Sequence, residues 1–401
     1  MLIEILLALL IGMISGTITG LSPGIHINLI ASVLVASLSL PFLSSIPLIA
    51  LAIFIISMSI THTFLDFIPS IFLGAPEEDN FLSILPGHRM LIDGRGYEAV
   101  VITLYGSLTA LAIILLFTPI FILFLPSLFA IIKTIIPFIL IFISFYLIFR
   151  EKNYILSIVV FVLAGFLGFI TFQLPVKEPL MPLLSGLFGL SALLISLKEK
   201  NSLPEQEILP LRKIKLGKRE FFKSLSAIII SAPFCSFLPG IGSGHAATIG
   251  SEIIPQNNKG FLFLVGATNT IVMGLSFITL YTISKARSGS AAAISQLLNP
   301  LTPANLLIIL ATIVISGILA FFLGVTLSKL CAKYISKLNY TYLTAFTILI
   351  LLAFNIIFSN WLGILALITA TSLGIFAISS NSRRINLMGA LIIPAIIYYL
   401  F

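Results

Sequence analysis

Apolar residues fill this chain in long blocks broken by short polar stretches. With about 20 apolar residues needed to span a bilayer, the blocks predict helices over roughly 2–20, 25–39, 46–73, 99–124, 127–149, 153–173 and 180–197. A second series follows over about 224–238, a short piece ending near Pro255, then 260–284, 304–328, 341–358, 361–379 and 387–401. Between 73 and 99 the pattern turns amphipathic, from Gly74-Ala-Pro-Glu77-Glu78-Asp79 through Pro86-Gly-His88-Arg89 to Asp93-Gly94-Arg95-Gly96-Tyr-Glu98, and reads as a loop.

The two series share one order: apolar run, Pro-Gly break, short piece, long helix, charged glycine-containing loop, helix set. Leu21-Ser-Pro23-Gly24-Ile25-His26-Ile-Asn28 supplies the first break. Leu238-Pro239-Gly240-Ile241-Gly242-Ser243-Gly244-His245 supplies the second, its proline 216 positions after Pro23. This reads as an internal duplication: a first membrane repeat over 1–197, a hydrophilic linker over 198–223, and a second repeat over 224–401. The linker carries eight basic residues (Lys198, Lys200, Arg212, Lys213, Lys215, Lys218, Arg219, Lys223) against four acidic ones, which places it in the cytoplasm. Loop charges do not fix the relative direction of the halves; broken helices in a transporter lead us to expect inverted repeats.

Composition makes the class firm. Of 401 residues 59% are hydrophobic and only 9% charged, with mean hydropathy +1.19, against about 25% charged in a soluble domain. The expected fold is therefore an all-α polytopic membrane protein. Its net charge of +8 fits cytoplasmic loops better than nucleic acid. Two cysteines, Cys235 and Cys331, support neither a disulfide framework nor a thiolate metal site. The Met-Leu-Ile-Glu start lacks a basic region, so the first block is expected to be a membrane helix rather than a signal peptide.

The breaks carry the candidate chemistry. Proline withdraws a backbone donor and glycine relaxes the backbone, so a helix stops there, and inside a bilayer the released amides need partners. Gly240, Gly242 and Gly244 let several amides converge on one anion, and Ser243 and Thr248 can add hydroxyls. The alternative is a kink eased by glycine for close helix packing. His26 and His245 suit proton coupling or anion contact, or simply cap the freed backbone. Asn28 adds polarity to the first break. His62 and Asp66 stand four residues apart on one helix face, as a proton or cation site or as a helix end reaching water. Asn269 and Thr270 are the neutral counterparts in the second half. Arg287 and Arg89, with Arg95, are candidate anion ligands or interfacial anchors. His26, His62, His88 and His245 lack metal-ligand spacing, and no Ser-His-Asp, HEXXH or Walker pattern occurs, so neither a cofactor nor an enzyme is expected.

Four stretches carry a resemblance: Gly16-Thr-Ile-Thr-Gly20-Leu-Ser-Pro23-Gly24; Gly74-Ala-Pro76-Glu77 with Gly87-His-Arg89-Met and Gly94-Arg95-Gly96-Tyr-Glu98-Ala; Phe237-Leu-Pro239-Gly240-Ile-Gly242-Ser-Gly244; and Gly266-Ala-Thr-Asn269-Thr270. Together they resemble the large permease of tripartite tricarboxylate transporters, the TctA type, in its archaeal branch. The resemblance implies the fold, a transport role with Pro-Gly loops at the site, and a small membrane subunit and solute-binding protein as partners. The chain departs from the pattern in being shorter, in His26 and His245, and in His62 and Asp66 where a glycine-rich run is expected. A looser similarity is to transporters that return polyprenyl-phosphate carriers across the membrane. The expected function is thus secondary transport of a small carboxylate, coupled to H+ or Na+. Translocation of a phosphorylated lipid carrier is the alternative.

Overall fold

The structure is a computed structural model that describes residues 2–22, 27–38, 45–73, 84–151, 153–176, 179–199, 204–236, 242–335 and 340–400. Helices α1 (Leu2–Leu21), α2 (Ile27–Ala36), α3 (Leu48–Leu65), α4 (Phe67–Leu73), α5 (Ile84–Ile92), α6 (Gly96–Phe149) and α7 (Tyr154–Gln173) come first. A bent segment follows, α8 (Leu180–Leu184), a π-helical turn (Ser185–Leu190) and α9 (Ser191–Glu199). The second half holds α10 (Lys218–Cys235), α11 (Ser243–Ile253), α12 (Asn258–Ile283), α13 (Gly289–Leu297), α14 (Pro303–Ile335), α15 (Tyr340–Phe358), α16 (Trp361–Ser379) and α17 (Gly389–Leu400). No strand occurs among the described residues. Seven helical stretches are long and apolar enough to cross a membrane, so this is a multi-pass membrane protein.

The helix texture of the sequence survives with three differences. The blocks at 99–124 and 127–149 form one helix, because Pro119, Pro126 and Pro137 sit inside α6 without ending it; membrane helices tolerate proline where neighbours satisfy the freed carbonyls. The 74–98 loop contains α5, and the loop after α12 opens α13, whose first turn Ser288 caps by accepting from the Ala291 amide at 3.1 Å. The linker's last residues already belong to α10, which begins at Lys218.

Two helices form the interior. The α3–α4 stretch is 83% buried and α12 94%, whereas the other five spans are 28–44% buried. Lipid tails give helices no hydrophobic reason to associate, so small residues that admit close backbone contact decide the packing. Gly12, Gly16 and Gly20 set one face of α1 on α3: a Cβ there would meet, in turn, Phe54 and Ser57, Met58 and Thr61, and Leu65. The registers rise together, so α1 and α3 run parallel. In the second half a Cβ at Gly250 would meet Ala227 and Ser231, while Ser224 Oγ donates to Gln256 Oε1 at 2.8 Å. Thus α10 and α11 form an antiparallel hairpin. Phe72 at the end of α4 lies beside Gly96, where α6 starts, and α6 runs parallel to α12 through Gly106, Gly266 and Gly274. Thr63 and Asp66 meet Asn269 and Thr270, so the α3–α4 stretch passes α12 in the opposite direction.

The linker packs across one end of this bundle. Glu207 N donates to Gly94 O at 2.7 Å, Gly96 N to Gln206 Oε1 at 2.8 Å, and Ile214 is buried. Glu98, 4% exposed, accepts from Arg95 Nη2 and Lys259 Nζ, each at 2.6 Å, joining α6 to the start of α12. A second network, Arg150 to Glu252 and Arg383 to both Glu151 and Glu252, ties the α6–α7 turn to the end of α11. Burial holds the Glu151 carboxyl above its ordinary range against the pull of Arg383. Glu98→Gln removes both charged contacts of that carboxylate. Because Arg95 and Lys259 are 40% and 30% exposed and can rehydrate, we expect a loss of about 1–3 kcal/mol, read as a lower melting temperature.

Candidate functional site

Polar residues on α3 follow a helical stripe, Ser59, Thr63 and Asp66, and each meets the second half. Ser59 Oγ lies 3.1 Å from Ser290 Oγ at the start of α13. Thr63 Oγ1 lies 3.2 Å from Thr270 Oγ1. Asp66 Oδ2 accepts from Asn269 Nδ2 at 2.8 Å, and the same amide reaches the Thr63 carbonyl at 3.4 Å. One turn earlier, His62 Nδ1 is 3.0 Å from Thr19 Oγ1 on α1. Asp66 is 2% exposed, which excludes the reading that it reaches water at a helix end.

Beside this seam lies a cleft of about 640 Å³. Its polar side is lined by Asn28, Gly242, Asn269, Ser276, Arg287, Ser288 and Gly289. These residues come from particular places. Asn28 is on the first turn of α2, Gly242 caps the start of α11, and Ser288 and Gly289 open α13. Three helix N-termini, each a positive dipole end, therefore border one space. Arg287, half-buried, adds a full positive charge and a planar fork of donors. Asn28 Oδ1 accepts from Ser290 N at 3.1 Å, linking the α2 and α13 starts across 262 residues. Gly242 N donates to His245 Nδ1 at 3.2 Å, so His245, fully buried, caps α11 in the way expected of a histidine at a break.

Facing these donors, Phe169 and Phe172 of α7, Leu180 of α8, and Leu391, Pro394 and Tyr398 of α17 form an apolar wall. Phe172 and Tyr398 are also among the exposed side chains, 40% and 78%, so this wall is continuous with the lipid-facing surface. A cleft with an electropositive floor and an apolar side can bind an anion and shield it from water.

The structure thus brings Asn28, Gly242, Asn269 and Arg287 together in one cleft. Ser243, Gly244 and His245 lie on the α11 turn that borders it, and Thr248 one turn on spends its hydroxyl on Gly244 O at 3.0 Å. Thr270, His62 and Asp66 belong to the adjoining seam. Arg89 is exposed on α5 and lines no part of the cleft. Pro23, Gly24, His26, Pro239 and Gly240 lie outside the described residues. Sequence reasoning missed Ser276, Ser288, Gly289 and the aromatic wall. The run Arg287-Ser288-Gly289-Ser290 before an alanine-rich stretch is a helix-start signal that could have located α13. The wall carried no such signal, because Phe and Tyr abound in every lipid-facing helix.

Fold and cleft together define a polytopic α-helical membrane protein with a cleft bordered by three helix starts and Arg287. A family model described as the tripartite tricarboxylate transporter TctA family matches residues 6–389. The chain belongs to that family, a family of transporters. It is also 34% identical over 390 residues, 95% of each chain, to an uncharacterised protein of the archaeon Methanocaldococcus jannaschii. No solved structure matches.

Proposed function

We propose that this protein is a secondary transporter that carries a small carboxylate anion through the cleft, coupled to H+ or Na+. One observation carries the reading: the starts of α2, α11 and α13 and the Arg287 side chain border a single cavity along the inner helix α12. Amide donors at three positive dipole ends and a guanidinium match an oxyanion, and binding there needs no rearrangement of the α3–α12 seam. The opposed directions of α3 and α12 support inverted repeats, an arrangement suited to alternating access around a fixed midplane site. A small membrane subunit and a solute-binding protein would be the partners, as family membership suggests.

A specific observation favours a second reading. The apolar wall reaches the lipid-facing surface at Phe172 and Tyr398, so a phosphorylated lipid could present its headgroup to Arg287 and keep its tail outside. Thermal shift of the purified protein separates the two. Stabilisation of several degrees by citrate-like acids supports the carboxylate reading. Stabilisation by polyprenyl phosphate alone supports the second, and stabilisation by neither class removes both.

A further inference from the structure

We propose that the helix break at Asp66 is a binding site for a monovalent cation, Na+, built beside the anion cleft and joined to it by Asn269. The proposal rests on the transport reading for its purpose but not for its chemistry.

The inner helix of the first half is interrupted at Asp66: α3 ends at Leu65, and α4 starts at Phe67. Pro69, the residue whose amide would bond the Leu65 carbonyl, has no N–H to give. Asp66 itself keeps right-handed helical angles, and amides bond across the turn, Asp66 N to His62 O at 3.0 Å and Ser70 N to Asp66 O at 3.3 Å, so the Leu65 carbonyl is the one that the proline deprives of its helical amide, beside a buried carboxylate. The two inner helices bring further oxygens to this point. Thr63 donates its hydroxyl to the Ile60 carbonyl at 2.9 Å, so in its 3.2 Å contact with Thr270 it is the acceptor, and Thr270 keeps its oxygen lone pairs. The Thr63 carbonyl lies 3.4 Å from the Asn269 amide.

The donor set is thus a carboxylate, threonine hydroxyls and the backbone carbonyls of Thr63 and Leu65 at the α3–α4 turn, with no thiol; His62 turns its Nδ1 to Thr19 on α1. Oxygen ligands suit a hard cation, and a single carboxylate balances one positive charge better than two. Asn269 supplies the link, since the side chain that holds Asp66 Oδ2 at 2.8 Å also lines the cleft. A cation on Asp66 changes the charge that Asn269 feels and raises the potential beside Arg287, so cation and anion favour each other's binding, and the coupling is reciprocal.

The test needs no anion, so it can fail while the anion reading stands, and the reverse. Purified full-length protein is melted in NaCl, KCl and N-methylglucamine chloride at matched ionic strength. We expect a saturable rise of roughly 3–5 °C in Na+ over the other two. Asp66→Asn keeps the shape, loses the charge and should lose this increment. Should Asp66→Asn fail to fold, Thr63→Val serves: it removes a hydroxyl ligand and should raise the Na+ concentration for half the shift by about tenfold. Equal melting in Na+ and K+ overturns the proposal, as does a Na+ increment that survives in Asp66→Asn or is unaltered in Thr63→Val. A shift that follows pH, ignores Na+ and vanishes in Asp66→Asn also overturns it, making Asp66 a proton carrier instead.

Discussion

Arg287→Ala should abolish anion-dependent stabilisation and transport while the ligand-free protein melts as before. The guanidinium lies in a loop between α12 and α13, half-buried at the cleft and outside both helices. Its removal leaves three helix N-termini, whose combined partial charges attract an anion but supply no full counter-charge. Truncating one partner of a hydrogen-bonded charge pair typically costs about 2–5 kcal/mol, roughly 30-fold to a few thousand-fold in affinity. Arg287→Lys separates charge from geometry: the ammonium keeps the attraction and loses the two-pronged fit to carboxylate or phosphate, so an intermediate loss is expected. His245→Ala should also abolish uptake without unfolding, because it removes the ring that accepts from Gly242 N and so loosens the start of α11 at the cleft. The check is uptake into proteoliposomes alongside melting curves. Unchanged uptake in both alanine variants would move the site elsewhere.

Much of this was legible in the sequence because bilayer physics is strict. An apolar block of 18–28 residues has almost no fate but a helix, and α3–α4, α7, α12, α15 and α16 fall within a few residues of their blocks. The polar residues in those blocks were legible for the same reason. Asn28, Asn269 and Asp66 stand out against apolar surroundings, and all three sit in the cleft or on the seam beside it. What was hidden depends on relations between distant segments. No periodicity says that α13 starts beside Asn28, a contact across 262 residues. Arg89 and Arg287 looked alike as arginines in charged loops, and only packing separates the exposed one on α5 from the one at the cleft. The chain was divided in one place where it does not divide: the runs 99–124 and 127–149 flank Pro126, yet one helix continues through it. The Pro-Gly motifs themselves lie outside the described residues, and Asn28 and Gly242 are the first described residues on their C-terminal sides to line the cleft.

The largest effect on stability should come from a glycine far from any charge. Gly106 of α6 and Gly266 of α12 set the closest approach between those helices. A Cβ on Gly106 would overlap the Phe263 carbonyl and lie 2.9 Å from Ala267 N, and one on Gly266 would lie 2.8 Å from Thr103 Cα. Both obstacles are backbone, so no rotamer change relieves them. α12 is 94% buried and has no lipid to shift into. Overpacking by a few methylenes costs about 1–3 kcal/mol where side chains can move, and more where whole helices must. Gly106→Leu should therefore lower the melting temperature by roughly 10 °C or prevent recovery of monodisperse protein. Gly189→Ala is the control, since the nearest atom to its added carbon, Leu351 Cδ1, is an ordinary 3.5 Å away; it should stay within about 1 kcal/mol. The contrast also bears on the site. Ser107 Oγ donates to Gly266 O at 3.0 Å one residue from the crossing, and Asn269 follows Gly266 by less than a turn. Pushing α12 off α6 by a single methyl radius would change the 2.8 Å bond between Asn269 and Asp66, so a milder Gly106→Ala should weaken the sodium-dependent melting shift even where the protein still folds. An unaltered shift in a folded Gly106→Ala variant would show that the α6–α12 contact supports the bundle without setting the geometry of the α3–α12 seam.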